Sequence, residues 1–174
     1  ALVEFVTDQL PGTPSRKVPQ QFGARIVSGG FCGAVLGTVG GSMIGGSLKP
    51  DLYPVYARYL VRWVQAFAAA GVPLRYLTIQ NEPGFEPKDY PGMIWPAAGR
   101  ARFIANDLGP ALERAKLGTE ILDWDHNWDK PEEPLGVLGD PKARRYVAGV
   151  AWHCYGGEVA ALEHPDQGLL RPVR

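Results

Sequence analysis

Leu74-Arg75-Tyr76-Leu77-Thr78-Ile79, followed directly by Gln80-Asn81-Glu82-Pro83, is the stretch on which the fold and the chemistry of this chain turn. The first six residues are rich in β-formers and predict a short strand, and the prolines at 83, 87, 91 and 96 open a loop after it. Upstream, Tyr56, Leu60, Trp63, Val64 and Phe67 recur at helical spacing between Asp51 and Ala70, with Pro50-Asp51 as the start and Gly71-Val72-Pro73 as the stop. Downstream, Phe103, Ile104, Leu108 and Leu112 mark a second helix through about Ala115, and Thr119-Glu120-Ile121-Leu122-Asp123 a second strand. A proline-rich loop holding Glu132 and Glu133 follows, then a short helix from Asp140-Pro141 to about Val147. Gly149-Val150-Ala151-Trp152-His153 is the third strand.

Helix and strand alternating at this spacing predict βαβ units and a parallel sheet, either a (β/α)8 barrel or a doubly wound sheet. A barrel needs eight strands and about 250 residues. The 174 residues here supply three or four good strands, so the expectation is part of a barrel rather than a closed one.

Bulk properties narrow the partners. The chain is 45% hydrophobic and 21% charged, as expected of a globular protein able to bury a core. Its 18 basic and 18 acidic residues cancel, so no global field favours nucleic acid, an anionic membrane or an acidic substrate, and a neutral partner is expected. No apolar run approaches the roughly 20 residues of a membrane helix, and Ala1-Leu2-Val3-Glu4 opens like neither a start methionine nor a signal peptide. Cys32 and Cys154 stand alone, outside any paired motif of a zinc site or disulfide framework.

In parallel α/β folds the chemistry lies beyond the C-terminal ends of the strands. Three polar clusters stand there: Gln80-Asn81-Glu82-Pro83, Asp123 through Asp129, and Trp152-His153-Cys154-Tyr155. Carboxylates, amides, imidazoles and aromatic rings on one rim suit a sugar, whose hydroxyls take bidentate hydrogen bonds and whose C–H face takes an aromatic platform. Glu82 is the candidate acid. A lone Glu before Pro is commonly a solvated turn residue, but Asn81-Glu82-Pro83 at a strand end resembles the signature of a large group of glycosidases, which implies that Glu82 protonates the leaving oxygen and Asn81 holds the sugar 2-hydroxyl as an oxocarbenium-like state develops. Asp125, His126 and Asn127 suit sugar binding and equally a helix cap or turn. His126, His153 and His164 with Asp123 and Asp125 show no HxH, HExxH or EF-hand spacing, so no metal is expected. Trp63, Phe67 and Trp152 are expected in the core.

From Tyr53 to Gly157 the chain resembles glycoside hydrolase family 30, the glucosylceramidase-like and endo-β-1,6-glucanase-like family. The resemblance is carried in family order by Gly45-Gly46-Ser47-Leu48-Lys49, Tyr56-Ala57-Arg58-Tyr59-Leu60-Val61, Leu77-Thr78-Ile79-Gln80-Asn81-Glu82-Pro83, Tyr90-Pro91-Gly92-Met93 and Phe103-Ile104-Ala105-Asn106-Asp107-Leu108-Gly109-Pro110. Asp125-His126-Asn127-Trp128-Asp129 and Tyr146 through Tyr155 complete it. The resemblance implies an incomplete (β/α)8 TIM barrel, roughly strands 3 to 6, that hydrolyses β-linked glucosides, glucosylceramide or β-1,6-glucan by a retaining two-carboxylate mechanism without a cofactor. It implies a carbohydrate or glycolipid substrate, and its bacterial relatives are often exported. Glu82 resembles the acid/base after strand four, Asn81 its 2-hydroxyl partner, Tyr90 a loop tyrosine of the same subsite, and His153 and Tyr155 the strand-six pair.

Two departures accompany it. Where the family has a segment of the type Ser-Pro-Trp-Ser-x-Pro-x-Trp-Met-Lys, this chain has Ser28 through Val39, overlapping a stretch with eight glycines between Gly29 and Gly46. A slip of reading frame is the hypothesis for this glycine-rich stretch, so residues 1–40 are expected to be an atypical, out-of-frame segment and 41–174 the partial catalytic domain. The family's nucleophilic glutamate follows strand seven, and Glu158, Glu163, Glu132 and Glu133 are poorly placed to replace it. The 174-residue chain alone is therefore expected to be inactive, at best weakly sugar-binding.

Overall fold

The computed structural model of the protein describes residues 47–86 and 92–160. The atypical segment 1–40, Tyr90 and His164 lie outside the described residues. A 3-10 turn over Pro50–Leu52 leads into helix α1, Tyr53–Ala69. Its buried positions Tyr53, Ala57, Leu60, Val64 and Phe67 step by four and three, the stripe that keeps one helix face toward a core. Tyr56 and Trp63 pack along the edge of that stripe, half-buried. Gly71 closes the helix at a φ of 81°, which lets the Val72 N–H reach the Phe67 carbonyl at 2.9 Å and the Gly71 N–H reach that of Ala68 at 3.0 Å. Carbonyls of the last helical turn are satisfied in this way.

Strand β1 is Tyr76–Thr78. The following helical run begins as α2, Ala97–Phe103, widens to a π turn over Ile104–Leu108, and resumes as α3, Gly109–Arg114. Pro110 explains the widening. It has no N–H to donate and its ring excludes the carbonyl four residues back, so the chain takes a wider turn in which the Gly109 N–H bonds the Ile104 carbonyl. Strand β2 is Glu120–Asn127, α4 Glu132–Leu138, α5 Pro141–Arg144 and β3 Val147–His153. Asp140 caps α5, its carboxylate accepting from the N–H groups of Lys142 and Ala143.

The strands form one parallel sheet in the order β1-β2-β3, with Leu77 opposite Ile121 and Asn127 opposite His153. Their C-terminal ends therefore share an edge. The core runs from Leu60 and Val64 of α1 through the fully buried Phe103, Ile104 and Leu108 to Leu77, Ile79 and Ile121 of the sheet. Each such large side chain contributes about 1.5–3 kcal/mol on burial. Tyr56 Oη ties α1 to the end of β1 by donating to the Ile79 carbonyl at 2.7 Å. No helix among the described residues is long and apolar enough to cross a membrane.

Besides the short helix after Asp140, which ends at Arg144 so that Val147 already opens β3, three expectations need correction. Glu132 and Glu133 open helix α4 rather than lying in a loop. Pro131 precedes that helix and Pro134 falls in its first turn, where backbone N–H groups have no intrahelical partner to lose. Second, the helix before β2 is longer than its apolar stripe and starts at Ala97. Third, β2 continues past Asp123 to Asn127, so Asp125, His126 and Asn127 are strand residues and not a cap.

Candidate active site

The rim is shaped by a bulge in β2. Trp124 stands opposite Ala151 and His126 opposite Trp152, which leaves Asp125 as the extra residue. Trp124 and Asp125 both take positive φ, 75° and 52°, and Glu82 after β1 does so at 51°. Left-handed backbone in such residues costs on the order of 1–3 kcal/mol each and persists only where the surroundings hold it. Here they do. The Glu82 N–H donates to the Asp125 carbonyl at 2.9 Å, and Trp124 Nε1 to the Asn127 carbonyl at 2.8 Å. Behind the bulge, Arg100 and Asp123, both fully buried, meet through Nε and Oδ1 at 3.0 Å. Burial pushes the Asp123 carboxyl up and the Arg100 guanidinium opposes it. Arg100 also donates to the Trp95 carbonyl and to Glu133, and lies over the Trp124 ring.

The bulge aims Asp125 toward the rim while Asp123 faces Arg100. Asp125 Oδ2 accepts from the Thr78 hydroxyl at 2.7 Å, and Oδ1 meets His153 Nε2 at 3.1 Å. The other imidazole nitrogen, His153 Nδ1, meets Glu82 Oε1 at 2.9 Å. Each of these two contacts requires a proton between nitrogen and oxygen, so two protons span the three groups. Either the imidazole carries both, or one carboxyl is protonated and donates to a neutral ring. Glu82, His153 and Asp125 thus form a continuous hydrogen-bonded array through the imidazole.

His126 Nδ1 lies 4.0 Å from Glu82 Oε1, too far for a hydrogen bond, and is buried without a partner. Burial pushes its pKa below the ordinary 6.5, with the Glu82 carboxylate pulling the other way, so the ring is neutral near pH 7. The rings of Trp124, Phe85 and His153 surround it.

Of the residues expected from sequence, Glu82, Asp125, His126 and His153 come together. Asn81 is exposed directly beside Glu82. Tyr155 is 82% exposed with its ring edge on His153 at 5.7 Å. Asn127 Oδ1 accepts the Tyr155 N–H at 3.1 Å and so holds the loop after β3. Gly157 in that loop has a φ of 83°, and a Cβ there would stand 2.4 Å from the Asp129 nitrogen. Trp63 and Trp152 are half-buried, while Phe67 is buried as expected. Sequence reading missed Thr78, Phe85 and Arg100. Thr78 had a signal, since alternate residues of a strand share a face and Thr78 stands two before Gln80 and four before Glu82. Arg100 had none, because its partners come from β2 and α4.

The TIM-barrel domain of glycosyl hydrolase family 30 matches residues 27–168. The chain belongs to glycosyl hydrolase family 30. The three parallel strands among the described residues, with their helices, accordingly form part of an incomplete (β/α)8 barrel. An endo-1,6-β-D-glucanase of Aspergillus fumigatus is 42% identical over 115 residues, 66% of this chain and 23% of the relative. Lysosomal acid glucosylceramidase of Mus musculus is 32% identical over 118 residues, 63% of this chain and 23% of the relative. A solved endo-β1,6-glucanase superposes with a TM-score of 0.67 at 33% identity, over 72% of this chain and 29% of that one. The chain spans about a quarter of the length of the curated family 30 relatives it matches.

Proposed function

We propose that this chain carries the acid/base half of a retaining β-glycosidase site, with Glu82 as the group that protonates the leaving oxygen. The observation that carries this reading is the Glu82 carboxylate, set at the end of a parallel strand and bonded to His153 at 2.9 Å within a family 30 barrel segment. In this reading β1, β2 and β3 are strands four, five and six of the barrel. His153 and Asp125 position the proton, and Asn81, exposed beside Glu82, meets the sugar 2-hydroxyl. Phe85 and Tyr155, both exposed at the rim, supply apolar faces for the ring. His126 and Asn127 complete the floor, and the family resemblance adds Tyr90 to the same subsite. The substrates are β-glucosides of the glucosylceramide or β-1,6-glucan type.

A retaining mechanism needs a second carboxylate about 5–5.5 Å from the first. Among the described residues Asp125 is the other carboxylate of this array, but Thr78 and His153 engage both of its oxygens, so it positions His153 and does not attack the sugar. The 174-residue chain by itself then binds sugar weakly and does not turn it over. Grafting residues 47–160 into the Aspergillus fumigatus enzyme in place of the matching segment tests the reading, with β-1,6-glucan as substrate. Hydrolysis by the graft is expected, and a folded graft without activity overturns the proposal.

A further inference from the structure

We propose that Glu82, His126 and His153 form a binding site for one divalent transition-metal ion of the zinc type, with Asp125 orienting His153 from behind. One ligand atom from each of the three lies within 4.8 Å of the others. Around a four-coordinate ion with bonds of about 2.0–2.1 Å, ligand atoms stand roughly 3.3–3.5 Å apart. Glu82 Oε1 is already 2.9 Å from His153 Nδ1 and 4.0 Å from His126 Nδ1, so small side-chain rotations bring the set to that spacing.

The donors decide the class of ion. Two imidazole nitrogens and one carboxylate oxygen suit zinc, cobalt, nickel or copper, whereas calcium and magnesium take oxygen ligands. His126 Nδ1 is buried with no hydrogen-bond partner, and such an orphan calls for a ligand. Ligating histidines usually present their second nitrogen to a carboxylate that fixes the ring, and Asp125 does this for His153 while Thr78 fixes Asp125. Three protein ligands beside an open rim leave the fourth position to water or an added molecule, the arrangement of accessible rather than structural sites. Chain spacing argued against a metal at His126 and His153, because spacing does not register ligands gathered from three separate strand ends.

Glu82 Oε1 cannot hold a metal and a transferable proton together, so a bound ion blocks acid catalysis. That consequence rests on the reading of Glu82 as the acid, whereas the binding does not. The test titrates zinc, and separately cobalt(II), into the 174-residue chain free of any affinity tag, by calorimetry and cobalt absorption. One ion per chain is expected, bound at least tenfold more weakly by His126→Ala and by Glu82→Gln. Asp125→Asn is expected to lose about 10–100-fold, and Cys154→Ser nothing. In the wild-type chain cobalt must broaden the imidazole NMR signals of His126 and His153, a readout that needs no variant to fold. No binding up to millimolar metal, unchanged affinity in folded His126→Ala and Glu82→Gln, or unbroadened imidazole signals overturns the site. Metal affinity is read without substrate, so failure of the acid assignment leaves this result standing, and the reverse also holds.

Discussion

Replacing Arg100 with Met removes the group that holds the back of the β2 bulge. The guanidinium is fully buried and contacts Asp123 at 3.0 and 3.4 Å, the Trp95 carbonyl at 2.6 Å and Glu133 at 3.0 Å. Met fills much of the volume but leaves the Asp123 carboxylate buried and unpaired. Breaking a buried ion pair from one side costs about 3–5 kcal/mol, a large share of the roughly 5–15 kcal/mol that holds an ordinary domain together. Asp123→Asn is milder, because Arg100 keeps Glu133 and the Trp95 carbonyl, and about 1–3 kcal/mol is expected.

The double variant Arg100→Met, Asp123→Leu strands no charge at this pair and must be more stable than Arg100→Met alone. Urea unfolding of the chain, followed by far-ultraviolet circular dichroism and tryptophan fluorescence, measures all three. A loss under 1 kcal/mol for Arg100→Met, or a double variant no more stable than Arg100→Met alone, refutes the pair as the anchor of the bulge.

His126 stays neutral in the folded chain below its ordinary 6.5, so the folded state binds fewer protons than the unfolded state there. Its contribution is therefore level above about pH 6.5 and destabilising as pH falls below it; thermal midpoints between pH 7 and 5.5 should fall less steeply in His126→Asn, and parallel slopes would contradict this. Gly157→Ala meets both a positive φ and a 2.4 Å clash with the Asp129 backbone, so a loss of at least about 2 kcal/mol is expected in urea unfolding, and a neutral change would show that the loop is held otherwise. Thr78→Val keeps the shape of the side chain but removes the donor to Asp125; about 1–3 kcal/mol of stability and part of the cobalt affinity should go with it, and no change in either would remove Thr78 from the site.

Much of this architecture was legible from short-range pattern. The stripe on α1, the three strand cores and the strand-end position of Glu82 each follow from periods of 3.6 or 2 and from glycine and proline punctuation. The β2 bulge was not legible, because nothing in Trp124-Asp125-His126 marks left-handed backbone until β3 and Glu82 hold it in place. Helix α4 hid behind Pro131 and Pro134, which read as loop residues although a first turn tolerates them. That Glu82, His126 and His153 share one rim was legible from their strand-end positions, but the approach of one ligand atom from each to within 4.8 Å of the others was not, since chain spacing says little about groups gathered from different strands.

The central claim, that Glu82 delivers the proton, is tested most directly by leaving-group dependence in the grafted enzyme. Glu82→Gln keeps shape but has no proton to give, and general acid catalysis is worth about 10²- to 10⁴-fold. The account predicts that kcat/KM for an alkyl β-glucoside falls by at least about 10²-fold in Glu82→Gln, while a dinitrophenyl β-glucoside, whose leaving group needs no protonation, loses far less in the glycosylation step. Equal losses for both substrates, or no loss for the alkyl glucoside, would contradict it.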